Sequence, residues 1–143
     1  GISVTNFNQG GRLAVIQGNL VRNLFRREKE PEGEKRGEGI SIEADSAVTG
    51  NTIEGAPAAG IQIGWGAYMR DVAVTGNVIR RSRVGIAVTG DSQAGACLIA
   101  NNLISQTREG AIRKMHLGAV SGPDLARDPS AAGRIALSAN VAV

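Results

Sequence analysis

Short stretches in which apolar and polar residues alternate recur along this chain. The clearest copies are "AVTGNTI" at 47–53 and "AVTGNVI" at 73–79, which differ at one position. Weaker copies fit the same frame, namely "AVIQGNLV" (14–21), "CLIANNLI" (97–104) and "ALSANVA" (136–142). A second marker runs in step with them as "GISV", "GISI", "GIQI", "GIAV" and "GAIR", beginning at Gly1, Gly39, Gly60, Gly85 and Gly110. A unit of three short period-two segments that repeats in this way is typical of one coil of a parallel β-helix.

One asparagine recurs at the same place in every unit. The five aligned residues are Asn19, Asn51, Asn77, Asn102 and Asn140. Positions five and three before each asparagine, and two after it, are mostly Val, Ile or Leu, which predicts that these side chains point inward. The asparagines should then stack on one another and form a structural ladder of side-chain amides. The alternative is that each asparagine simply favours a turn.

The repeat predicts one domain over residues 1–143. Its fold class is all-β: a single-stranded right-handed parallel β-helix (solenoid) of about five coils, without major helices. Two insertions interrupt the rhythm, at 22–38 and at 114–134. The first contains "RREKEPEGEKRGE" (26–38), with five basic and five acidic residues. Since the chain enters and leaves in strands, we expect open ends that meet further coils of a longer parent chain or other copies in a homo-oligomer.

Composition changes this picture only slightly. The chain has 143 residues, 42% of them hydrophobic, but only 2 Phe, 1 Trp and 1 Tyr, so its core must be aliphatic. The net charge of +3 and a basic patch at Arg81, Arg83 and Arg108 come without interleaved aromatic residues, so we expect no nucleic-acid partner. No apolar run approaches the roughly 20 residues that span a bilayer. The single cysteine, Cys97, is predicted to be a small core residue.

The run "GIQIGWGAYMRDVAVTGNVIRRSRVGIAV" (60–88) resembles a family of bacterial exported repeat proteins of unknown function. These carry a twin-arginine signal and belong to the right-handed, pectin-lyase-like β-helix class. The resemblance covers essentially the whole chain and implies a periplasmic or exported protein, although this chain contains no signal. Related repeats occur in lyases, hydrolases, epimerases and phage tailspikes, so they specify fold rather than chemistry.

In the related enzymes the substrate groove lies over the Gly-Ile strand, which makes its outward residues the first to consider. They are Ser3, Thr5, Ser41, Glu43, Gln62, Gly64, Ala87 and Thr89. Only one is a carboxylate, whereas glycoside hydrolysis normally needs two. Asp45 and Asp71 lie six residues before their ladder asparagines and should stack one coil apart, at ~4.8 Å. With Glu43 they are weak catalytic candidates; ion pairs with Arg12 and Arg70 are the favoured interpretation, and a calcium site is the other.

The turn "GWGAYMRD" (64–71) holds the only Trp and the only Tyr. Trp65 and Tyr68 could stack on sugar rings and Arg70 could pair with a uronate, so these three are the predicted substrate-binding residues. Alternatively, Trp65 covers an apolar edge. The sequence favours a non-catalytic exported module, a scaffold or carbohydrate-binding protein without a cofactor. The alternatives are a polysaccharide lyase, hydrolase or epimerase acting on an acidic polysaccharide, and a spike-like structural repeat that assembles through its ends.

Overall fold

The computed structural model describes residues 1–6, 13–25 and 37–143. Over these residues the chain winds through five coils, each of which contributes one strand to each of three sheets, and the fifth adds a second strand to one of them. The predicted all-β parallel β-helix is therefore confirmed. The described part contains no α-helix, only a four-residue 3-10 helix, Pro129–Ala132. Most of the charged insertion, at 26–36, lies outside the described residues.

The strands are short, as period-two segments between bends require. Coil one contains β1 (Ile2–Val4), β2 (Ala14–Gln17) and β3 (Leu20–Val21). Coil two contains β4 (Ile40–Ile42), β5 (Ala44–Thr49) and β6 (Thr52–Glu54). Coil three contains β7 (Ala59–Ile63), β8 (Arg70–Thr75) and β9 (Val78–Arg80). Coil four contains β10 (Val84–Thr89), β11 (Cys97–Ala100) and β12 (Leu103–Ser105). Coil five contains β13 (Ile112–His116), β14 (Ala119–Asp124), β15 (Ile135–Ser138) and β16 (Val141–Ala142).

Strands at the same place in successive coils pair in parallel. Sheet A has the order β1-β4-β7-β10-β13-β14, sheet B the order β2-β5-β8-β11-β15, and sheet C the order β3-β6-β9-β12-β16. The exception is β14, which pairs antiparallel with β13. The duplicated letters of the sequence lie directly on one another: Val48 is opposite Val74, and Ile53 is opposite Ile79.

The core consists of columns of aliphatic side chains that point into the helix. Ile40, Ile61, Ile86 and Ile112 are paired in succession across sheet A and are completely buried. The inward parity predicted from the repeat is therefore correct. Cys97 belongs to the same core at 4% exposure, and burial raises the pKa of its thiol to about 12. A thiol that stays protonated at neutral pH suits packing rather than nucleophilic chemistry.

The asparagine ladder is present along the bend between sheets B and C. Each Nδ2 donates to Oδ1 of the asparagine in the next coil, at 2.9 Å in all four steps from Asn19 to Asn140. The backbone N–H of Asn51 also donates to Asn77 Oδ1, at 3.0 Å, and Asn77 Nδ2 donates to the Val48 carbonyl. The ladder thus satisfies buried backbone groups at a bend where the sheet hydrogen bonds are interrupted.

The residue before each ladder asparagine has left-handed backbone geometry. Gly50 and Gly76 have φ values of +62° and +66°, which a residue without a Cβ adopts at no steric cost. Asn101 takes the same position in coil four with φ +55°. The two residues of the Gly-Asn pair therefore have separate roles. The glycine allows the backbone to bend, and the asparagine amide forms hydrogen bonds with the next coil.

The glycine of the Gly-Ile marker is required by close packing. A Cβ at Gly60 would lie 2.4 Å from Ile79 Cγ2 and 2.7 Å from the Gly85 oxygen. In coil five the alignment made from the sequence is wrong by one residue, because Ile112 pairs with Ile86 and Ala111, not Gly110, takes the marker position. At this position the backbone N–H of Ala111 donates to the Asp124 carboxylate.

The segment after β13 covers the core at the C-terminal end of the helix. Leu125 is 1% exposed and joins the main core with Ala132. The Asp124 carboxylate accepts hydrogen bonds from the backbone N–H groups of Ala111 and Ile112, at 2.8 and 3.0 Å. Insertion 114–134 therefore supplies apolar side chains to the core and acceptors for the backbone of β13, while Val141 and Val143 beyond it are 53% and 79% exposed.

Candidate functional site on the outer face of sheet B

The outer face of sheet A, expected to be the groove, is covered in coils three and four. Gln62 and Ala87, whose side chains point outward there, are only 5% and 4% exposed. Ala87 packs with Met115 and Val120 of the β13–β14 hairpin in a small apolar cluster outside the helix. What remains is a cavity of about 50 Å³ lined by Gln62, Trp65, Met115 and neighbours. This face is therefore not an open groove in the middle of the molecule.

Trp65 lies against the tip of that hairpin. The two residues Trp65 and Tyr68 close a tight turn through reciprocal backbone hydrogen bonds of 3.2 and 3.0 Å. A Cβ at Gly118 would lie 3.2 Å from the indole Cη2, so the ring contacts the hairpin backbone. Tyr68 is 51% exposed, and Trp65 is half-buried. The indole covers an apolar surface on the sheet A side, while Arg70 begins β8 in sheet B.

Asp45 and Arg70 form an ion pair between coils two and three. Arg70 Nε and Nη2 donate to the two carboxylate oxygens of Asp45, at 3.1 and 2.8 Å, in the bidentate geometry that guanidinium and carboxylate groups favour. The hydrogen bonds from Arg70 hold the pKa of Asp45 below its ordinary value of 3.8. The favoured interpretation of this acid, a structural ion pair, agrees with this geometry. The other predicted partner, Arg12, lies outside the described residues.

Asp71 occupies the equivalent position one coil further on. The pairs Ala44–Arg70 and Ser46–Val72 flank it and place it beside Asp45. Both aspartates have left-handed backbone geometry, with φ values of +50° and +49°. Asp71 is exposed, and no described side chain forms a hydrogen bond or ion pair with it. Glu43 lies between β4 and β5, at the bend from sheet A to sheet B.

Metal ligation was the remaining hypothesis for these acids. Among the described residues, no three or more His, Cys, Asp or Glu side chains are grouped closely enough to hold an ion. Nor does this part of the chain include a helix with the length and apolar character needed to cross a membrane. The calcium hypothesis thus gains no support from the geometry.

An apolar row crosses the outer face of sheet B. The side chains that point outward at the same place in successive strands are Val15, Ala47, Ala73, Leu98 and Ala136. Val15 and Leu98 are 68% and 40% exposed. These larger side chains flank the two alanines and leave a shallow cavity of about 680 Å³ above them. We call this the sheet B groove: a floor of Ala47 and Ala73, with Val15 and Leu98 at its two ends.

Polar side chains lie along the same outer face before and after the floor alanines. Asp45 and Asp71 line one border. Thr49 and Thr75 follow the floor alanines by two residues and therefore point from the same face, with their Oγ1 atoms 3.5 Å apart. An apolar floor with a few polar groups at its edge has the composition of a ligand site, and this one is an open depression rather than an enclosed pocket.

Sequence reasoning missed this groove because, on the strands of sheet B, it considered the inward residues and the aspartates but not the outward alanines. The signal was present in the "AVT" of the repeat. Its valine points into the core, while its first outward residue, Ala47, is apolar as well. An outward row without charge in a solvated sheet is unusual for a surface that has no partner.

The basic patch lies on a different corner, between sheets C and A. Arg80 and Arg81 both donate to Glu54, at 3.2 and 3.0 Å, and Arg83 Nε is 3.8 Å from Glu109. These are exposed or half-exposed pairs of the kind that solvated faces carry. They are separated from the sheet B groove by the width of sheet C.

Fold and groove together define a solenoid protein of the parallel β-helix class with an apolar site on one outer face. The chain belongs to the family described as "Protein of unknown function (DUF1565)", whose model matches residues 1–143. No curated protein and no solved structure matches the chain. The family description names no activity and no twin-arginine signal, so both export and ligand stay predictions.

Proposed function

We propose that this protein is a non-catalytic β-helix module of the cell envelope that binds an extended polysaccharide along the outer face of sheet B. The observation that carries the proposal is the sheet B groove, a half-buried apolar floor with two aspartates in its lining and two threonines further along the same outer face. The apolar C–H faces of sugar rings suit such a floor, and sugar hydroxyls suit the threonine and aspartate borders. The cell-envelope location rests on the family resemblance alone.

A polymer fits this face better than a single small molecule does. The equivalent groups recur in neighbouring coils, Ala47 beside Ala73 and Thr49 beside Thr75, at the strand spacing of ~4.8 Å. A chain of repeating units that lies along the helix axis therefore meets similar groups in each coil. Repeated weak contacts along one chain add up to useful affinity.

The geometry of the acids supports binding rather than catalysis. A general acid for glycoside cleavage needs a raised pKa, whereas hydrogen bonds from Arg70 lower the pKa of Asp45. Glu43 lies at the bend between sheets A and B, away from the groove floor. Asp45 is therefore poorly suited to be the general acid of glycoside hydrolysis.

The test is a titration with neutral, acidic and amine-bearing oligosaccharides, followed by methyl NMR of Ala47, Ala73 and Leu98. Trp65 fluorescence, recorded on the same samples, reports the opposite face. We expect saturable shifts of the three methyl groups with at least one oligosaccharide and no change in fluorescence. Ala73→Phe should fill the groove and weaken binding at least tenfold, a change of about 1.4 kcal/mol.

Val78→Phe is the matched control, because it adds the same ring at an outward position of sheet C in the same coil. It should leave affinity unchanged. If Trp65 fluorescence responds instead and the alanine methyls do not, sugar binds at the 64–71 turn and the proposed site is wrong. If light scattering shows a dimer that Ala73→Phe dissociates, a second copy covers the groove and the proposal also fails.

A further inference from the structure

The charged residues that the structure describes in the lining of the sheet B groove are acidic. Among the described residues that line it, Asp45 and Asp71 are the only charged ones. Arg70 engages both oxygens of Asp45 and so neutralises that carboxylate. Asp71 is exposed and forms no hydrogen bond or ion pair with a described side chain. Asp71, which interacts with Arg70 electrostatically but not through a hydrogen bond, therefore presents an exposed carboxylate at the border of an apolar floor.

This arrangement separates polysaccharides by charge. A uronate bound on the floor would bring its carboxylate toward Asp71, and two like charges at short range repel. A protonated amine would form a charge-assisted hydrogen bond with Asp71 while its sugar ring lies on Ala73. An N-acetylated amine would offer only a neutral N–H, and roughly half the strength.

We propose that the sheet B groove selects a glycan with free amino groups, and that Asp71 is the residue that recognises the amine. This inference rests on the proposed function, since it names the class of polysaccharide for the same groove. It reverses the alternative drawn from the sequence, in which Arg70 would pair with an acidic polysaccharide. Arg70 is already engaged by Asp45 and lies behind the border rather than in the lining.

The experiment compares three oligomers of equal length by calorimetry: glucosamine, N-acetylglucosamine and galacturonate. We expect affinity to fall in that order, with galacturonate not bound. Affinity for the glucosamine oligomer should also fall as salt rises from 20 to about 300 mM, because screening weakens an exposed charge pair.

Asp71→Asn tests the residue. Asparagine tolerates the left-handed backbone at this position, where φ is +49°, so the bend should survive. The variant should bind glucosamine oligomers about tenfold more weakly. Its affinity for the N-acetylated oligomer should be unchanged, which also shows that the groove is still folded.

Glu109→Gln is the matched control, because it removes one negative charge at the corner between sheets C and A. It should not change affinity for any oligomer. If the amine and its acetylated form bind equally well and Asp71→Asn has no effect, the inference is wrong while polysaccharide binding stands. If galacturonate binds most tightly and Ala73→Phe weakens its binding, the inference is also overturned. If no oligomer binds, the proposed function fails with it.

Discussion

Coils two to four and coil five solve the same problem by different means. In the inner coils, the groups that one coil leaves unsatisfied are met by a copy of the same residues in the next. Asn77 accepts from Asn51 and donates to Asn102, for example. In coil five there is no such copy beyond β13 in sheet A, and a non-repeated segment takes over. Asp124 accepts the N–H groups of Ala111 and Ile112, and Leu125 closes the core.

The difference shows what a repeated sequence can and cannot encode. A repeat specifies contacts between equivalent residues of neighbouring coils, so the same favourable side chain serves in several coils. Where a coil contacts a segment that is not part of the repeat, the residues of that segment are specific to the one place. Substitutions in the two regions should therefore destabilise the fold for different reasons, and the resulting losses in the free energy of unfolding can be compared.

The largest effect is expected in the repeated part. Asn77→Ala removes the acceptor for the Asn51 backbone N–H and the donor to the Val48 carbonyl, both at a buried site. At about 1–3 kcal/mol for each stranded group, the free energy of unfolding should fall by about 4 kcal/mol. Urea unfolding followed by circular dichroism measures it.

Asn101→Ala is the control for that variant, because its side chain lies outside the ladder one coil away. It should cost only about 1 kcal/mol, since alanine is less tolerant of the left-handed φ of +55°. Equal losses for the two variants would show that asparagine acts at these bends as a turn former and that the ladder adds little.

A smaller effect is expected at the capped end. Asp124→Ala leaves two partly buried N–H groups of the last sheet A strand without their acceptor, and should cost about 2–3 kcal/mol. Asp128→Ala, four residues further on and exposed, should stay within about 0.5 kcal/mol of the wild type. Amide hydrogen exchange at Ala111 and Ile112 should be faster in Asp124→Ala only. Unchanged exchange there would show that the Asp124 carboxylate does not protect these two amides.

The smallest effect concerns the ion pair between neighbouring coils. Because Arg70 lowers the pKa of Asp45 in the folded protein, the pair stabilises the fold above the ordinary value of 3.8, and this contribution disappears as pH falls through the lowered value. Wild type should therefore exceed Asp45→Asn in stability at pH 6 by more than it does at pH 2. In an Arg70→Gln background the difference should vanish; if it persists, another group is responsible.

The fold could be predicted from the sequence because identical letters stack on identical letters. Val48 on Val74 and Asn51 on Asn77 were both implied by one alignment, and the sheets follow from them. The same method failed by one residue at Gly110, where β13 pairs on its far side with the antiparallel β14 instead of another strand of the repeat. It also gave no account of Asp124 or Leu125, since residues used once leave no pattern to align.

The candidate site was predicted less well, for a related reason. Asp45 and Arg70 were paired correctly, because their offset from the ladder asparagines places them in neighbouring coils. For Trp65 the sequence left two interpretations, sugar stacking and cover of an apolar edge, and its contact with Gly118 depends on how the β13–β14 hairpin folds over sheet A. The alanines of the sheet B groove drew no attention, since a small apolar residue becomes a site only when the larger residues beside it are placed.

The asparagine column has a direction. In all four steps the amide nitrogen belongs to the earlier coil and the oxygen to the later one. The amide dipoles therefore add instead of cancelling, and each bond polarises the next. The column is therefore polar. A further coil, from this chain or another, can extend it at either end only if its asparagine amide points in the same direction. A coil offered in the reverse sense would set donor against donor.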